Sequence, residues 1–333
     1  MQNKTLIIST TPFYGGGESF IADTLSKVDK NVTYFVKDAT LYEKLANSKK
    51  YQLKSNTIIS QIFEVARYVN ANKGIKNIIF NGGNTFFFIP FLHAPNKIFY
   101  RHTTNMCVSN SVQRCIYIIM AHICYLFADK IVHVSKYSLN EQKILQSRAI
   151  CIYHGVDIDK FYIEKQKANS FLFVGRLERS KGVDIIIEAF KSLPQGSYEL
   201  NIVGKGELEG YVKSNVSADI KYWGFRNDVD SFYERADAFV TMPSNEAFGL
   251  TIIEAMKYSL PVITCKTGGV GEIVKDHVNG LLIPRNVESL IHAIEELQHD
   301  SMLYKKMGAE SYAMVGKTFS RSNTIQKIQN ILL

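Results

Sequence analysis

Two successive series of short apolar runs, separated by segments of helical periodicity, constrain this chain more than any other feature. In the second half the runs fall at 171–174, 199–203, 220–223, 238–241, 261–264 and 280–283. Helical patterns occupy 182–192, 208–214, 229–235, 250–258 and 287–297 between and after them. The first half has runs at 6–8, 32–36, 77–80, 97–100, 131–134 and 149–152, with helical patterns at 61–69 and 112–127. Strands that alternate with helices build parallel sheets covered on both faces. Two such series predict two doubly wound α/β domains. The expected boundaries are 1–160 and 168–315, with a turn at His154-Gly155-Val156-Asp157 and a polar run before Ser170. Helical patterns at 302–315 and 320–332 have no strand after them, and the last helix, 316–333, is expected to pack back on the N-terminal domain. Open parallel sheets bind ligands outside the carboxyl ends of their strands. With two facing sheets the expected site is a cleft between the domains.

The 333 residues suffice for two domains of roughly 150 each. Five cysteines (Cys107, Cys115, Cys124, Cys151 and Cys265) are scattered, without disulfide or metal-site spacing, which points to a reducing cytosol. Residues 5–9 are too short for a signal-peptide core and read as a first strand. The longest apolar run, 116–127, falls short of the roughly 20 residues needed to span a bilayer. The expected location is therefore cytoplasmic, peripheral at most on the inner face of a membrane. The net charge of +8 is unevenly placed: residues 1–166 hold 20 Lys and Arg against 11 Asp and Glu, and residues 167–333 hold 19 against 20. The basic half would attract an anionic surface or a phosphorylated acceptor. It lacks the interleaved aromatics of a nucleic-acid module, so no nucleic-acid partner is expected.

Two segments carry chemistry. The strand ending at Val174 exits through Gly175, presents Arg176 at its carboxyl end, and reaches Lys181 and Gly182 where the next helix begins. Two cations beside a helix N-terminus suit a diphosphate. Further on, the strand ending near Thr241 leads through Pro243 and Glu246 to Phe248-Gly249, and a helix opens at Leu250. Gly249 would let a ligand approach the backbone and first-turn amides. Glu254, one turn into that helix, could accept both hydroxyls of a ribose diol. In the first half, Gly15-Gly16-Gly17 follows the first strand and opens a helix, another place where backbone could approach phosphate.

The order and spacing of these segments resemble the retaining glycosyltransferases of GT-B fold, in particular glycosyltransferase family 4 (glycosyl transferases group 1). The resemblance covers about 168–290 strongly. It rests on Val-Gly-Arg-Leu-Glu-Arg-Ser-Lys-Gly at 174–182, Val-Gly-Lys-Gly-Glu-Leu at 203–208, Trp-Gly-Phe-Arg at 223–226, Glu-x7-Glu at 246–254 and the Gly-Gly segment within 261–274. It implies two facing Rossmann-like domains with a cleft between them. It implies that Arg176 and Lys181 bind the donor diphosphate, that Glu246 contacts the donor sugar, and that Glu254 holds the ribose. Backbone amides of Phe248, Gly249, Leu250 and Thr251 would complete the phosphate site, with Gly175 at the strand exit. Gly224, Phe225 and Arg226 would lie against the base, and Gly16 and Gly17 near the donor. His102 resembles the family's active-site histidine. His154 stands where the family has Asn in an Asn-Gly-Val-Asp turn.

The same resemblance implies retention of anomeric configuration and no metal cofactor; Asp157-Ile158-Asp159 has the spelling of a metal motif but belongs to the interdomain segment. The expected partners are a nucleotide-diphosphate sugar of UDP or GDP type, a glycan or lipid-linked glycan acceptor of bacterial surface polysaccharide synthesis, and an anionic membrane surface. The apolar segment 86–92 reads either as contact with that surface or, in the preferred reading, as buried core. The alternatives are a sugar-nucleotide epimerase or hydrolase of the same fold, and a non-catalytic nucleotide-sugar-binding subunit.

Overall fold

The computed structural model describes residues 4–103, 111–159 and 164–333, which form two units: 1–154 with 321–333, and 155–320. Cys107, residues 1–3 at the start of the chain and residues 160–163 of the expected boundary segment lie outside the described residues.

In the first unit, β1 (Lys4–Ser9), α1 (Gly16–Asp23), β2 (Val32–Val36), α2 (Ala39–Lys44), β3 (Lys49–Gln52), α3 (Ile58–Ala71) and β4 (Ile75–Asn81) are followed by β5 (Asn96–Arg101), α4 (Ser111–Tyr125), β6 (Lys130–His133), α5 (Lys136–Glu141) and β7 (Ala149–Cys151). The seven strands pair in parallel in the order β3-β2-β1-β4-β5-β6-β7. The central strands are buried on both faces, as the unbroken apolar run Leu6-Ile7-Ile8 requires. Polar residues start the helices: Asp38 accepts from the Leu41 amide at 2.7 Å, and Thr57 accepts from the Ser60 amide at 3.3 Å.

One face of this sheet is covered by α3, α4 and a 3-10 turn at Gly83–Phe88. Ile62, Val65 and Val69 of α3 and Ala121, Cys124 and Tyr125 of α4 meet Phe86, Phe88 and Leu92 there. Segment 86–92 is thus mostly core: Phe86, Phe88, Ile89 and Leu92 are buried, and Phe91 is the exposed large side chain among them. Of the two readings of 86–92 the buried core holds, because the turn drives these aromatics inward onto the sheet. The opposite face holds Phe20 and Ile21 of α1, Leu41 of α2, and Ile328 from the end of the chain.

The second unit contains β8 (Ser170–Val174), α6 (Val183–Ser192), β9 (Glu199–Val203), α7 (Glu209–Ser214), β10 (Ile220–Tyr222), α8 (Asp230–Arg235) and β11 (Ala238–Val240). These are followed by α9 (Leu250–Met256), β12 (Val262–Thr264), α10 (Val270–Ile273), β13 (Gly280–Leu282), α11 (Val287–His299) and α12 (Ser301–Thr318). Its strands pair in parallel in the order β10-β9-β8-β11-β12-β13. Asn286 and Asp300 start α11 and α12 by accepting from amides three residues on. The last helix, α13 (Arg321–Leu332), belongs to the first unit.

In both sheets the strand order reverses beside the first strand, between β1 and β4 and between β8 and β11. Ligand sites of doubly wound sheets lie at such switch points. Gly17 and His102 follow β1 and β5, and Asn81 ends β4. Arg176, Glu246 and Gly268 follow β8, β11 and β12. Among the described residues no helix is long and apolar enough to cross a membrane.

Candidate active site

In the second unit the loop after β8 is held between its neighbours by backbone bonds. The Gly175 and Leu177 amides donate to the Val203 and Lys205 carbonyls at 3.1 and 3.0 Å. On the other side, the Met242 and Ser244 amides donate to the Lys181 and Ser180 carbonyls at 3.2 and 2.8 Å. Arg285 bolts the second junction, with Nε 2.8 Å from the Met242 carbonyl and an Nη 2.6 Å from that of Arg179.

Glycine makes this approach possible. A Cβ on Gly204, which has φ +145°, would stand 1.9 Å from the Gly175 carbonyl oxygen. Thus the Val-Gly-Lys-Gly stretch at 203–206 exists to let two loops touch. Gly268 does the same for the next pair: at φ +49°, an added Cβ would stand 1.8 Å from the Glu246 carbonyl oxygen, which also accepts from the Gly269 amide at 2.9 Å.

These contacts bring Lys181 and Glu246 together from segments 65 residues apart: Nζ and Oε2 are 2.5 Å apart, and each side chain keeps about a fifth of its surface open. Arg176 is more exposed and rests on Glu178, 2.6 Å away. Gly249, with φ +110°, precedes the first turn of α9, where Leu250 and Thr251 are half-buried. The Phe248 ring faces the core and packs edge-on against Phe319, so this residue can offer a ligand only its backbone.

Glu254 is half-buried rather than a solvated surface acid. The buried Tyr233 hydroxyl donates to its Oε2 at 3.1 Å. Burial and the neighbouring carboxylate raise the pKa of that hydroxyl, keeping it a donor. Gly224 adopts φ +69° and its carbonyl accepts from the Gly204 amide, which sets Phe225 half-exposed with the Lys205 ammonium 4.9 Å from its ring centre. Arg226 is committed to Asp228 through two 2.8 Å bonds.

The first unit has its own polar cluster. Asn81 Nδ2 donates to the Gly17 carbonyl at 3.2 Å, which turns its Oδ1 toward His102 Nε2 at 2.9 Å. His102 Nδ1 lies 3.3 Å from His154 Nε2, with the two rings nearly parallel. Since Asn81 Oδ1 can only accept, His102 Nε2 carries its proton and its Nδ1 accepts from His154 Nε2. Burial lowers the His102 pKa to about 4 and also that of His154, so both rings are neutral at pH 7.

Gly17 lies against the His102 ring, where an added Cβ would touch Cδ2 at 3.5 Å. The glycines at 15–17 therefore supply space beside His102; none of them adopts positive φ. Gly16 opens α1. Glu18 is buried and accepts from Ser9 at 3.0 Å; burial raises its pKa. Ser135 starts α5 by accepting from the Ser138 amide at 3.1 Å.

The structure thus gathers Arg176, Lys181, Glu246, Gly249 and Glu254 at the strand ends of the second unit, and Gly17 and His102 at those of the first. Sequence reasoning missed Tyr233, Arg285, Asn81 and the contact made by His154. Asn81 had a signal, an Asn-Gly-Gly turn directly after a strand. Tyr233 and Arg285 had none, because their partners are set by tertiary packing. Among the described residues no three His, Cys, Asp or Glu side chains converge as a metal ion would require.

Residues 157–314 match the family described as Glycosyl transferases group 1. An uncharacterized glycosyltransferase of Methanocaldococcus jannaschii, MJ1178, is 36% identical over 208 residues, 60% of this chain and 57% of its own length. An Escherichia coli UDP-Gal:alpha-D-GlcNAc-diphosphoundecaprenol alpha-1,3-galactosyltransferase is 30% identical over 205 residues, 54% of this chain and 52% of its own. The chain spans about half the length of the curated relatives it matches. Among solved structures, Anabaena Alr3699/HepE in complex with UDP-glucose superposes with a TM-score of 0.85 over 99% of both chains, at 20% identity. That likeness establishes the fold as GT-B, with two Rossmann-like units.

Proposed function

We propose, from the match of residues 157–314 to glycosyl transferases group 1, that the protein moves a sugar from a nucleotide-diphosphate donor to a hydroxyl. The donor is of UDP or GDP type, and the acceptor is a glycan or lipid-linked glycan of bacterial surface polysaccharide synthesis. The anomeric configuration is retained, and protein cations rather than a metal ion meet the phosphates.

The observation that carries this reading is the Lys181–Glu246 contact, which places a cation and a carboxylate side by side at the carboxyl ends of β8 and β11. Lys181 and Arg176 neutralise the diphosphate. Negative charge grows on that group as the glycosidic bond breaks, so cations already in place lower the barrier. Glu246 orients the donor sugar. Glu254, steadied by Tyr233, takes the ribose hydroxyls. The Phe248–Thr251 backbone supplies amides to the phosphates, and Phe225 offers a face to the base. Both ring nitrogens of His102 are engaged within the first unit, so it meets the sugar by exchanging Asn81 for a substrate hydroxyl. UDP is favoured over GDP by the UDP-glucose bound in the Anabaena structure and the UDP-Gal named for the Escherichia coli relative. The latter's diphosphoundecaprenol acceptor supports a lipid-linked acceptor here.

Thermal-shift measurement with UDP and GDP tests the reading. UDP should raise the melting temperature, and Lys181→Ala should weaken UDP about tenfold, or roughly 1.4 kcal/mol. Equal stabilisation of wild type and Lys181→Ala would refute the phosphate assignment. Glu246→Ala should keep UDP binding and lose sugar transfer. Donor consumed equally fast without acceptor would mean a hydrolase or epimerase instead.

A further inference from the structure

Residues 115–127, which form most of α4 and the turn after it, contain no Lys, Arg, Asp or Glu. A helix on a protein surface ordinarily places charge on its outer side. Here Ala121, Cys124 and Tyr125 pack inward, and the outer side is apolar as well. Ile116, Ile119, Met120, Ile123, Leu126 and Phe127 are each between 42% and 59% exposed. Their spacing of 3, 4, 7, 10 and 11 residues from Ile116 aligns them in one stripe along the helix.

The surface continues on the same side of the sheet. There α3 exposes Ile59 at 64% and Phe63 at 70%, and Phe91, which follows the 3-10 turn touching both helices, is 62% exposed. Nine large apolar side chains on one helical layer exceed the scattered exposure normal for a monomer.

Charge identifies the occupant. The first unit holds 20 Lys and Arg against 8 Asp and Glu, a net of +12. Exposed Arg67 lies one turn beyond Phe63 on α3. Arg148 donates to the Leu126 and Ala128 carbonyls at 2.9 and 2.8 Å, which fixes its guanidinium at the end of the apolar stripe. A second copy of this face would bring the same positive charge against it. Headgroups of anionic lipid supply the opposite charge over an apolar interior.

We propose that the outer face of α4, extended by Ile59, Phe63 and Phe91, docks on an anionic lipid bilayer, with α4 lying in the plane of the interface. The inner flank of the same helix, at Tyr117, Ile118 and His122, lines a recess that also holds Arg101 and His102. A lipid-linked acceptor would then reach His102 along α4 without leaving the bilayer surface. That last step rests on the proposed function; the docking does not.

Flotation with vesicles tests it, comparing phosphatidylcholine alone with phosphatidylcholine mixed with phosphatidylglycerol. The full chain should float with the anionic vesicles at low salt and be released as salt rises. The double variant Ile119→Asp/Ile123→Asp should bind them at least tenfold more weakly, and Phe63→Ser should weaken binding less. Both variants should keep the UDP-induced thermal shift, which separates loss of docking from misfolding and from failure of the donor reading. Absence of wild-type flotation, or equal flotation of the double variant, would overturn the proposal. So would a wild-type dimer that Ile119→Asp/Ile123→Asp dissociates, since the stripe would then be a self-interface.

Discussion

At the scale of single residues, the site depends on which proton sits where. Gly17, Asn81, His102 and His154 form one hydrogen-bonded series whose first member is a fixed carbonyl, so each later donor and acceptor follows from it. His154→Leu would leave His102 Nδ1 without its donor and release the ring to the other tautomer. We expect the sugar-transfer kcat to fall about tenfold, the worth of one such bond, with the donor KM unchanged. His154→Asn can donate from its amide and should restore most of the rate. A His154→Leu enzyme as fast as wild type would show that the contact positions nothing. The resemblance identified position 154 as a departure from a family turn. It could not say that the replacement reaches His102, because residues 52 apart in the chain meet only through the sheet.

At the scale of elements, twelve strands and most helices were legible from apolar periodicity, with ends within two or three residues. β3 was not. Its sequence Lys-Lys-Tyr-Gln carries no apolar alternation, and it forms the exposed edge of the first sheet, held by backbone pairing to β2 and by Tyr51 stacked on Phe35. Edge strands need no buried face, so hydrophobic pattern cannot reveal them. The loops were legible as motifs but not as mechanics. Gly204 and Gly268 stood in recognisable segments, and their reason is a backbone approach that a sequence does not display. Gly268→Ala meets both a 1.8 Å clash with the Glu246 carbonyl and a left-handed backbone. It should cost on the order of 2 kcal/mol in chemical denaturation and displace Glu246, so that transfer falls more than UDP binding does. Gly210 has open space around it, and Gly210→Ala should leave both unchanged.

At the scale of the whole molecule, the unit boundaries sharpen the charge asymmetry that composition announced: the first unit is at +12 and the second, with 19 Lys and Arg against 23 Asp and Glu, is at −4. The first unit also holds buried neutral histidines. His133, fully enclosed between Ser138 and Gln142, has its pKa lowered to about 4 by burial and by nearby Arg101. A lowered histidine pKa supports the fold above the unfolded value of 6.5, and that support fades as pH falls toward 4, because the unfolded chain takes up the proton first. For His133 the full effect is about 3 kcal/mol. Denaturant melts should therefore show the first unit losing stability between pH 6.5 and 4, with a shallower slope in His133→Gln. A slope unchanged by that substitution would remove His133 as a cause.

The helix α13 carries a consequence for how the protein is made. Its Ile328 is fully enclosed in the cluster formed by Phe20, Leu41 and Tyr34, yet it lies about 300 residues further along the chain. A ribosome therefore delivers nearly all of the first unit early and its closing piece last. The second unit, contiguous from 155 to 320, emerges whole in between. The half that is begun first is the half completed last, and until then one floor of its core waits uncovered for a helix not yet synthesised.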